Sequence, residues 1–189
     1  MLKILKSLFS RKENEIDASS SSAPAIEKKS VTEYFQEELD LCPFIKKECH
    51  SIVIKHLSHE LSLIKTDNKL TAEEKKSIGI NPRQAITKEL VAVLTEEGLK
   101  LKYPKGVLAD IYNKASCEKS WDDQFIKALE SNFVNSFVLK NAGTNEHCKF
   151  CLSKFDQEMR LTTQVLKSFH DNCKCNPYKK SYINPVIKF

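Results

Sequence analysis

The chain has 189 residues, with 30 Lys and Arg against 25 Asp and Glu, and a formal net charge of +5. This length fits one domain, or a small domain with an appended module. Four glycines and six prolines are too few for a turn-rich β-sandwich, a collagen-like chain or a nucleotide-binding domain built on glycine loops. No apolar stretch approaches the roughly 18 residues that a membrane-spanning helix needs, so we expect no integral membrane protein.

The first 30 residues differ in composition from the rest. Residues 1–12 carry four positive charges and no negative charge, and Leu2, Leu5, Leu8 and Phe9 lie near one helical face. This pattern predicts a basic amphipathic segment that binds a membrane surface or a partner's groove. Residues 13–30 contain a run of four serines and predict a disordered linker, so the N-terminal segment as a whole is expected to be flexible.

Residues 31–141 are expected to form a helical domain. Apolar residues recur at three- and four-residue steps from Phe44 to about Lys65, which predicts one amphipathic helix. Thr71 and Glu74 form a capping-box pattern, and Gly79 is placed where a short helix would stop.

Three further helices are predicted in this domain. Asn81 followed by Pro82 predicts the start of a helix that ends at Gly98, and a second helix is expected from about Lys105 to Ala115. A third is predicted from Trp121 to Leu139, capped by Ser120, because apolar residues fall at four-residue steps along one face: Phe125, Leu129, Phe133 and Phe137.

Seven cysteines are present, and four of them fall in a short C-terminal stretch. Lys3 and Lys6 interrupt the only apolar stretch at the N-terminus, so no secretory signal is expected. An odd number of cysteines without such a signal favours a reducing, cytoplasmic compartment over a disulfide framework. Cys42, Cys49 and His56 share one helical face but are interpreted as core residues.

The C-terminal cysteines have the spacing of metal ligands. Zinc prefers four sulfur or imidazole ligands in a tetrahedron, and a C-x-x-C turn can direct two sulfurs at one ion. Cys148 and Cys151 form such a turn; the distant side offers Cys173 together with either His170 or Cys175. Four protein ligands leave no open position, which indicates structural zinc, whereas three would leave a catalytic site open.

The module around these residues is expected at 142–180, followed by a C-terminal tail at 181–189. The stretch between the cysteine pairs suits either a helix or a strand. We favour an α+β hairpin, partly because the motif resembles that of a known family. The predicted fold is therefore mainly α, with a helical body and a small zinc-stapled α+β module. Residues 142–189 hold eight positive and four negative charges. This excess could bind nucleic acid, or lysines could offset the charge of a thiolate site: Lys149, Lys154, Lys174, Lys179 and Lys180.

The pattern C-x-x-C, eighteen residues, then H-x-N-C-x-C resembles the C-terminal motif of the phage head-morphogenesis family, the Mu-type minor head proteins. The residues that carry the resemblance are Cys148, Cys151, His170, Asn172, Cys173 and Cys175, preceded by the run AGTNEH at 142–147. The resemblance covers this C-terminal segment alone. It implies a helical region followed by a metal-stabilised module that acts at the capsid interior near the portal, or in head assembly.

The leading functional prediction is a non-enzymatic structural or assembly protein with capsid or portal-like partners, virion-associated if the resemblance holds. One alternative is a nucleic-acid-acting toxin or nuclease-like effector that uses the basic C-terminal end. The other is a peripheral membrane adaptor that works through residues 1–12.

Overall fold

The computed structural model describes residues 28–143 and 146–187. The amphipathic segment predicted at 1–12 lies outside the described residues, as does the linker predicted at 13–30 except for its last three residues. The described helices are α1 Val31–Asp40, α2 His50–Leu57, α3 Ala72–Ser77, α4 Lys88–Val93, α5 Glu96–Leu99, α6 Gly106–Leu129, α7 Lys149–Leu152 and α8 Thr163–Asn172. The strands are β1 Val134–Asn141, β2 Glu158–Arg160 and β3 Ser181–Ile187.

The N-terminal helices pack around one apolar cluster, here called the helical core. It includes Phe35 of α1, Val53 of α2 and Leu90 of α4, each at most 1% exposed. Ser30 caps α1 through a capping box with Glu33, and α1 packs along α6. The capping box predicted at Thr71 and Glu74 is confirmed at the start of α3, and Gly79 follows that helix with a left-handed φ of 74°.

Two helices predicted in this region are shorter than expected. The stripe from Phe44 to Lys65 forms only α2, preceded by a 3-10 turn at Lys47–Cys49. The prediction of a helix from Pro82 to Gly98 is wrong in its first part. There Asn81 closes a turn, because its side-chain oxygen accepts a hydrogen bond from the backbone N–H of Arg83. The remainder divides into α4 and α5, whose N-caps are Thr87 and Thr95.

Gly98 was predicted to end a helix but lies within α5. A Cβ atom at this position would stand 2.5 Å from the carbonyl oxygen of Phe44, so the helix can approach that backbone only through a glycine. The residue is therefore required for close packing and not for termination.

The helix α6 runs for 24 residues and connects two apolar clusters. Its first half enters the helical core through Val107, Leu108 and Ile111, and its second half enters a separate cluster through Trp121 and Phe125. At 1.5 Å per residue, α6 spans about 36 Å. The two helices predicted over 105–115 and 121–139 are thus one helix that ends at Leu129, and Ser120 caps nothing.

The last part of the helix predicted over 121–139 is a strand. Val134–Asn141 forms β1, the central strand of a three-stranded antiparallel sheet in the order β2-β1-β3. Phe137 and Leu139 point to the same face, two residues apart, and both are fully buried. Residues 181–187, for which the sequence predicted only a tail, form β3 and pair with β1 from Val134 to Asn141.

This sheet, α8 and the second half of α6 enclose the second cluster, here called the module core. Its buried members are Trp121, Phe125, Ala128, Phe137, Leu139, Cys151, Leu161, Leu166, Phe169 and Ile183. The helix-dominated body and the small C-terminal α+β module agree with the predicted fold class. Between the cysteine pairs, the strand is β2 at Glu158–Arg160 and the helix is α8, capped by Thr162.

Candidate metal centre

Four cysteines meet at one end of the sheet. Cys148 is the N-cap of the one-turn helix α7 and Cys151 lies within it, so a single turn directs both sulfurs the same way. Cys173 ends α8 with an extended backbone, ψ 123°, which lets the chain return Cys175 to the same point. The four Sγ atoms all lie within 4.8 Å of one another.

The distances between the sulfurs fit a tetrahedral site. The Sγ of Cys151 lies 3.5 Å from that of Cys173 and 3.6 Å from that of Cys175. A tetrahedral ion with metal–sulfur bonds of about 2.3 Å separates its ligands by about 3.8 Å. A disulfide would bring two sulfurs to about 2.05 Å, and all four cysteines are free thiols. The cluster therefore has the geometry of a site that could hold a metal ion.

Backbone N–H groups point at two of the sulfurs. The N–H of Cys148 donates to the Sγ of Cys175 at 3.4 Å, and the N–H of Lys174 donates to the Sγ of Cys148 at 3.3 Å. Each of these bonds joins the two halves of the cluster across the fold. Such donors stabilise thiolate charge and orient the ligands of a metal.

The thiols differ in their pKa values for identifiable reasons. The thiol of Cys151 donates a hydrogen bond to Cys173, and this bond is the main cause of the raised pKa of Cys151; burial is the second cause. The same hydrogen bond lowers the pKa of Cys173. Burial raises the pKa of Cys175, whereas at Cys148 it is outweighed by hydrogen bonds that lower the pKa. Metal ligation requires thiolates, so a bound cation would displace the protons of these thiols.

The cluster is built into the module core. Cys151 is 1% exposed, and Cys148, Cys173 and Cys175 are half-buried against the same apolar residues. The ring of Phe150, next to Cys151, meets that of Phe169 edge to face at a centroid distance of 5.2 Å. Movement of the sulfurs would therefore disturb the packing of α8.

His170, predicted as an alternative fourth ligand, does not join the sulfurs. It lies in the last turn of α8, and its Nε2 lies 3.1 Å from Oδ1 of Asp122 on α6. The chain leaves the helix at Cys173, so the histidine and the cysteines that follow it face different neighbours. Cys175 is the residue whose sulfur lies with those of Cys148, Cys151 and Cys173.

The lysines around the cluster have separate roles. Lys179 is buried and pairs with Glu118 at 2.5 Å, and Lys180 pairs with Glu146. Lys179 also helps to lower the pKa of Cys173 through its charge. Lys149 and Lys174 are exposed. Two of the five lysines are thus paired with glutamates, and nucleic-acid binding by the basic C-terminal end stays a prediction.

A second polar cluster was not predicted from the sequence. Glu118 and Asp122 of α6 and His170 of α8 bring one ligand atom each within 4.8 Å of one another. The only signal in the sequence was the four-residue spacing of the two carboxylates on a helix, which is common on exposed helices. Within 28–143 and 146–187, this cluster and the four cysteines are the two groups with such geometry; Cys42, Cys49 and His56 do not form one.

Comparisons with protein-family models, with curated protein sequences and with solved structures found no match for this chain. In the part of the chain that the structure describes, none of the helices combines the length and the apolar character that crossing a bilayer requires.

Proposed function

We propose that the chain is a non-enzymatic structural or assembly protein whose C-terminal module is held together by one zinc ion. The single observation that carries this proposal is the convergence of four free cysteine sulfurs at tetrahedral spacing. Thiolate sulfur is a preferred ligand of zinc, and reduced cysteines with this spacing are typical of structural sites.

The ligand set favours a structural role over a catalytic one. Four protein sulfurs fill the tetrahedron and leave no position for water or a substrate. The first pair of cysteines follows β1 and the second pair precedes β3, so the ion would join segments separated by more than 20 residues. The free energy of binding the ion would then contribute directly to folding of the module.

The resemblance to Mu-type minor head proteins supplies the biological part of the proposal. It implies a helical region followed by a small metal-stabilised module, and the described architecture supports that arrangement. We propose capsid or portal-like proteins as partners and association with the virion. The fourth ligand is Cys175, while His170 of the same motif contacts α6.

The zinc proposal is tested on the full chain, purified under reducing conditions. X-ray absorption at the zinc edge should report four sulfur neighbours at about 2.3 Å. Chelation should then change the near-ultraviolet circular dichroism of Trp121, the single tryptophan, which is 2% exposed in the module core. An ordered module without any sulfur-bound metal would contradict the proposal.

The assembly proposal is tested first by the neighbouring genes, among which we expect portal and major capsid genes, and then by co-expression of the chain with their products. We expect the chain to co-purify with portal or capsid particles, and the Cys151→Ser variant to lose this association together with its metal. Cys49→Ser, a half-buried cysteine outside the cluster, is the matched control. The absence of portal and terminase genes from the neighbourhood, together with no association, would contradict the phage assignment.

A further inference from the structure

The polar cluster between α1, α6 and α8 has features that a simple ion pair does not explain. Glu118 and Asp122 are four residues apart on α6, so their carboxylates share one face. His170 reaches them from α8. The side chain of Asp122 is 8% exposed, a burial that is costly for a carboxylate unless its charge is balanced.

One oxygen of each carboxylate is held by a donor from another element. The hydroxyl of Tyr34 on α1 donates to Oδ2 of Asp122 at 2.7 Å. The ammonium group of Lys179, whose side chain is 5% exposed, donates to Oε2 of Glu118 at 2.5 Å. Donors that hold the outer oxygen of a carboxylate are typical of the surroundings of a metal ligand, because they orient its inner oxygen.

The inner oxygen of Asp122 has no hydrogen-bond donor in the described structure. Oδ1 is buried, and Nε2 of His170 lies 3.1 Å from it. Two ligand atoms that each bind a metal at about 2.1 Å lie about 3.0–3.4 Å apart. The pair therefore has the separation of neighbouring ligands around one cation.

The charges favour a cation at this position. Glu118 and Asp122 contribute two negative charges and Lys179 contributes one positive charge, so these three side chains together leave one negative charge in excess. Lys29 and Lys167 also line the adjacent cleft, and Lys29 is paired with Glu37 at 2.5 Å.

We propose that Glu118, Asp122 and His170 form a second divalent-cation site, with two carboxylates and one imidazole as ligands. It is independent of the cysteine site and suits zinc, cobalt or manganese, which accept mixed nitrogen and oxygen ligands. Three protein ligands leave a coordination position open. Asp122 and His170 line a cleft of about 300 Å³, from which water or an anionic group of a ligand could reach that position.

Cobalt(II) titration of the reduced, metal-free full chain tests this site separately from the cysteines. Cobalt bound to thiolates gives intense charge-transfer bands, whereas cobalt bound to nitrogen and oxygen gives weak visible bands alone. We expect two equivalents per chain, one of each kind. Loss of the intense bands with retention of the weak ones would contradict the cysteine proposal only.

Variants then identify the ligands of the second equivalent. Asp122→Asn and His170→Gln should each weaken its binding at least tenfold and leave the thiolate bands unchanged. Asp123→Asn, the neighbouring carboxylate that pairs with Lys119, is the matched control. His170→Gln alters a side chain that is 38% exposed, so it provides a folded variant if Asp122→Asn unfolds. One equivalent of thiolate type alone, or a second equivalent that both variants retain, would overturn the proposal.

Discussion

Phe125 on α6 and Phe137 on β1 meet edge to face with their ring centroids 5.2 Å apart, and neither ring is exposed. This contact joins the second half of the long helix to the central strand of the sheet. Edge-to-face pairs add about 0.5–1.5 kcal/mol to the free energy gained by burial of the rings. The module is thus packed against the side of α6 and is not merely connected to its end.

Replacement of Phe137 by alanine should lower the free energy of unfolding of the module by about 3–5 kcal/mol, because it leaves a cavity in the module core. Urea unfolding followed by the emission of Trp121 measures this change. Phe133→Ala is the matched control: this ring lies four residues earlier and is 73% exposed, so its removal should change stability by less than about 0.5 kcal/mol. Equal effects would indicate a helix over 121–139.

A second prediction concerns the identity of the fourth sulfur ligand. Cys175→Ala should weaken the thiolate-to-cobalt charge-transfer bands from the intensity of four bound sulfurs to that of three, since it removes one of the converging sulfurs. His170→Ala should leave these bands intact, because its imidazole contacts Asp122 instead. Absorption spectra of the cobalt-loaded variants decide the matter, and the opposite pattern would place His170 among the ligands.

Tyr34→Phe should destabilise the protein by about 1–3 kcal/mol, because removal of the hydroxyl leaves an oxygen of the buried Asp122 carboxylate without its donor. Thermal and urea unfolding of the full chain measure this loss. Tyr103→Phe removes the same atom from a side chain that is 61% exposed and should have little effect. Similar stabilities for the two variants would refute the role assigned to the Tyr34 hydroxyl.

Glu38 makes the stability depend on pH. Burial, only partly offset by the charge of Lys114, raises the pKa of Glu38 above that of the unfolded chain. Its contribution to the free energy of unfolding is therefore fully present below the unfolded pKa and is lost as pH rises through the higher folded value. Glu38→Gln replaces the ionisable carboxyl group with a neutral amide, so this variant does not lose that free energy of unfolding as pH rises.

Urea unfolding at pH 3 to 7 should show Glu38→Gln gaining stability relative to the unsubstituted chain as pH rises, with no gain at the acidic end. Glu48→Gln, an exposed glutamate on the 3-10 turn, is the control. A difference between Glu38→Gln and the unsubstituted chain that stays constant with pH would contradict the assignment.

At several positions, local signals in the sequence were sufficient to predict the local structure. The capping box at Thr71 and Glu74 acts within four residues, so it forms wherever that segment goes. The C-x-x-C spacing at Cys148 and Cys151 likewise predicts that both sulfurs face one point, and α7 provides that turn.

Sequence patterns did not predict the structure where a segment pairs with residues far away in the chain. Phe133 and Phe137 fit a helical stripe with Phe125, yet β1 pairs with β3, 40 or more residues later, along most of its length. Tertiary pairing of this kind overrides a local period. The choice between His170 and Cys175 depended in the same way on where α8 ends and on the presence of α6 beside it.

By itself, the sequence determined the helix-dominated body and the candidate sulfur ligands, because composition, periodicity and ligand spacing are properties of neighbouring residues. Only the tertiary structure decided that residues 134–141 and 181–187 pair as strands, that Cys175 completes the sulfur cluster, and that His170 joins Asp122. Each of these depends on groups far apart in the chain, and their free energy of contact exists only when folding brings them together.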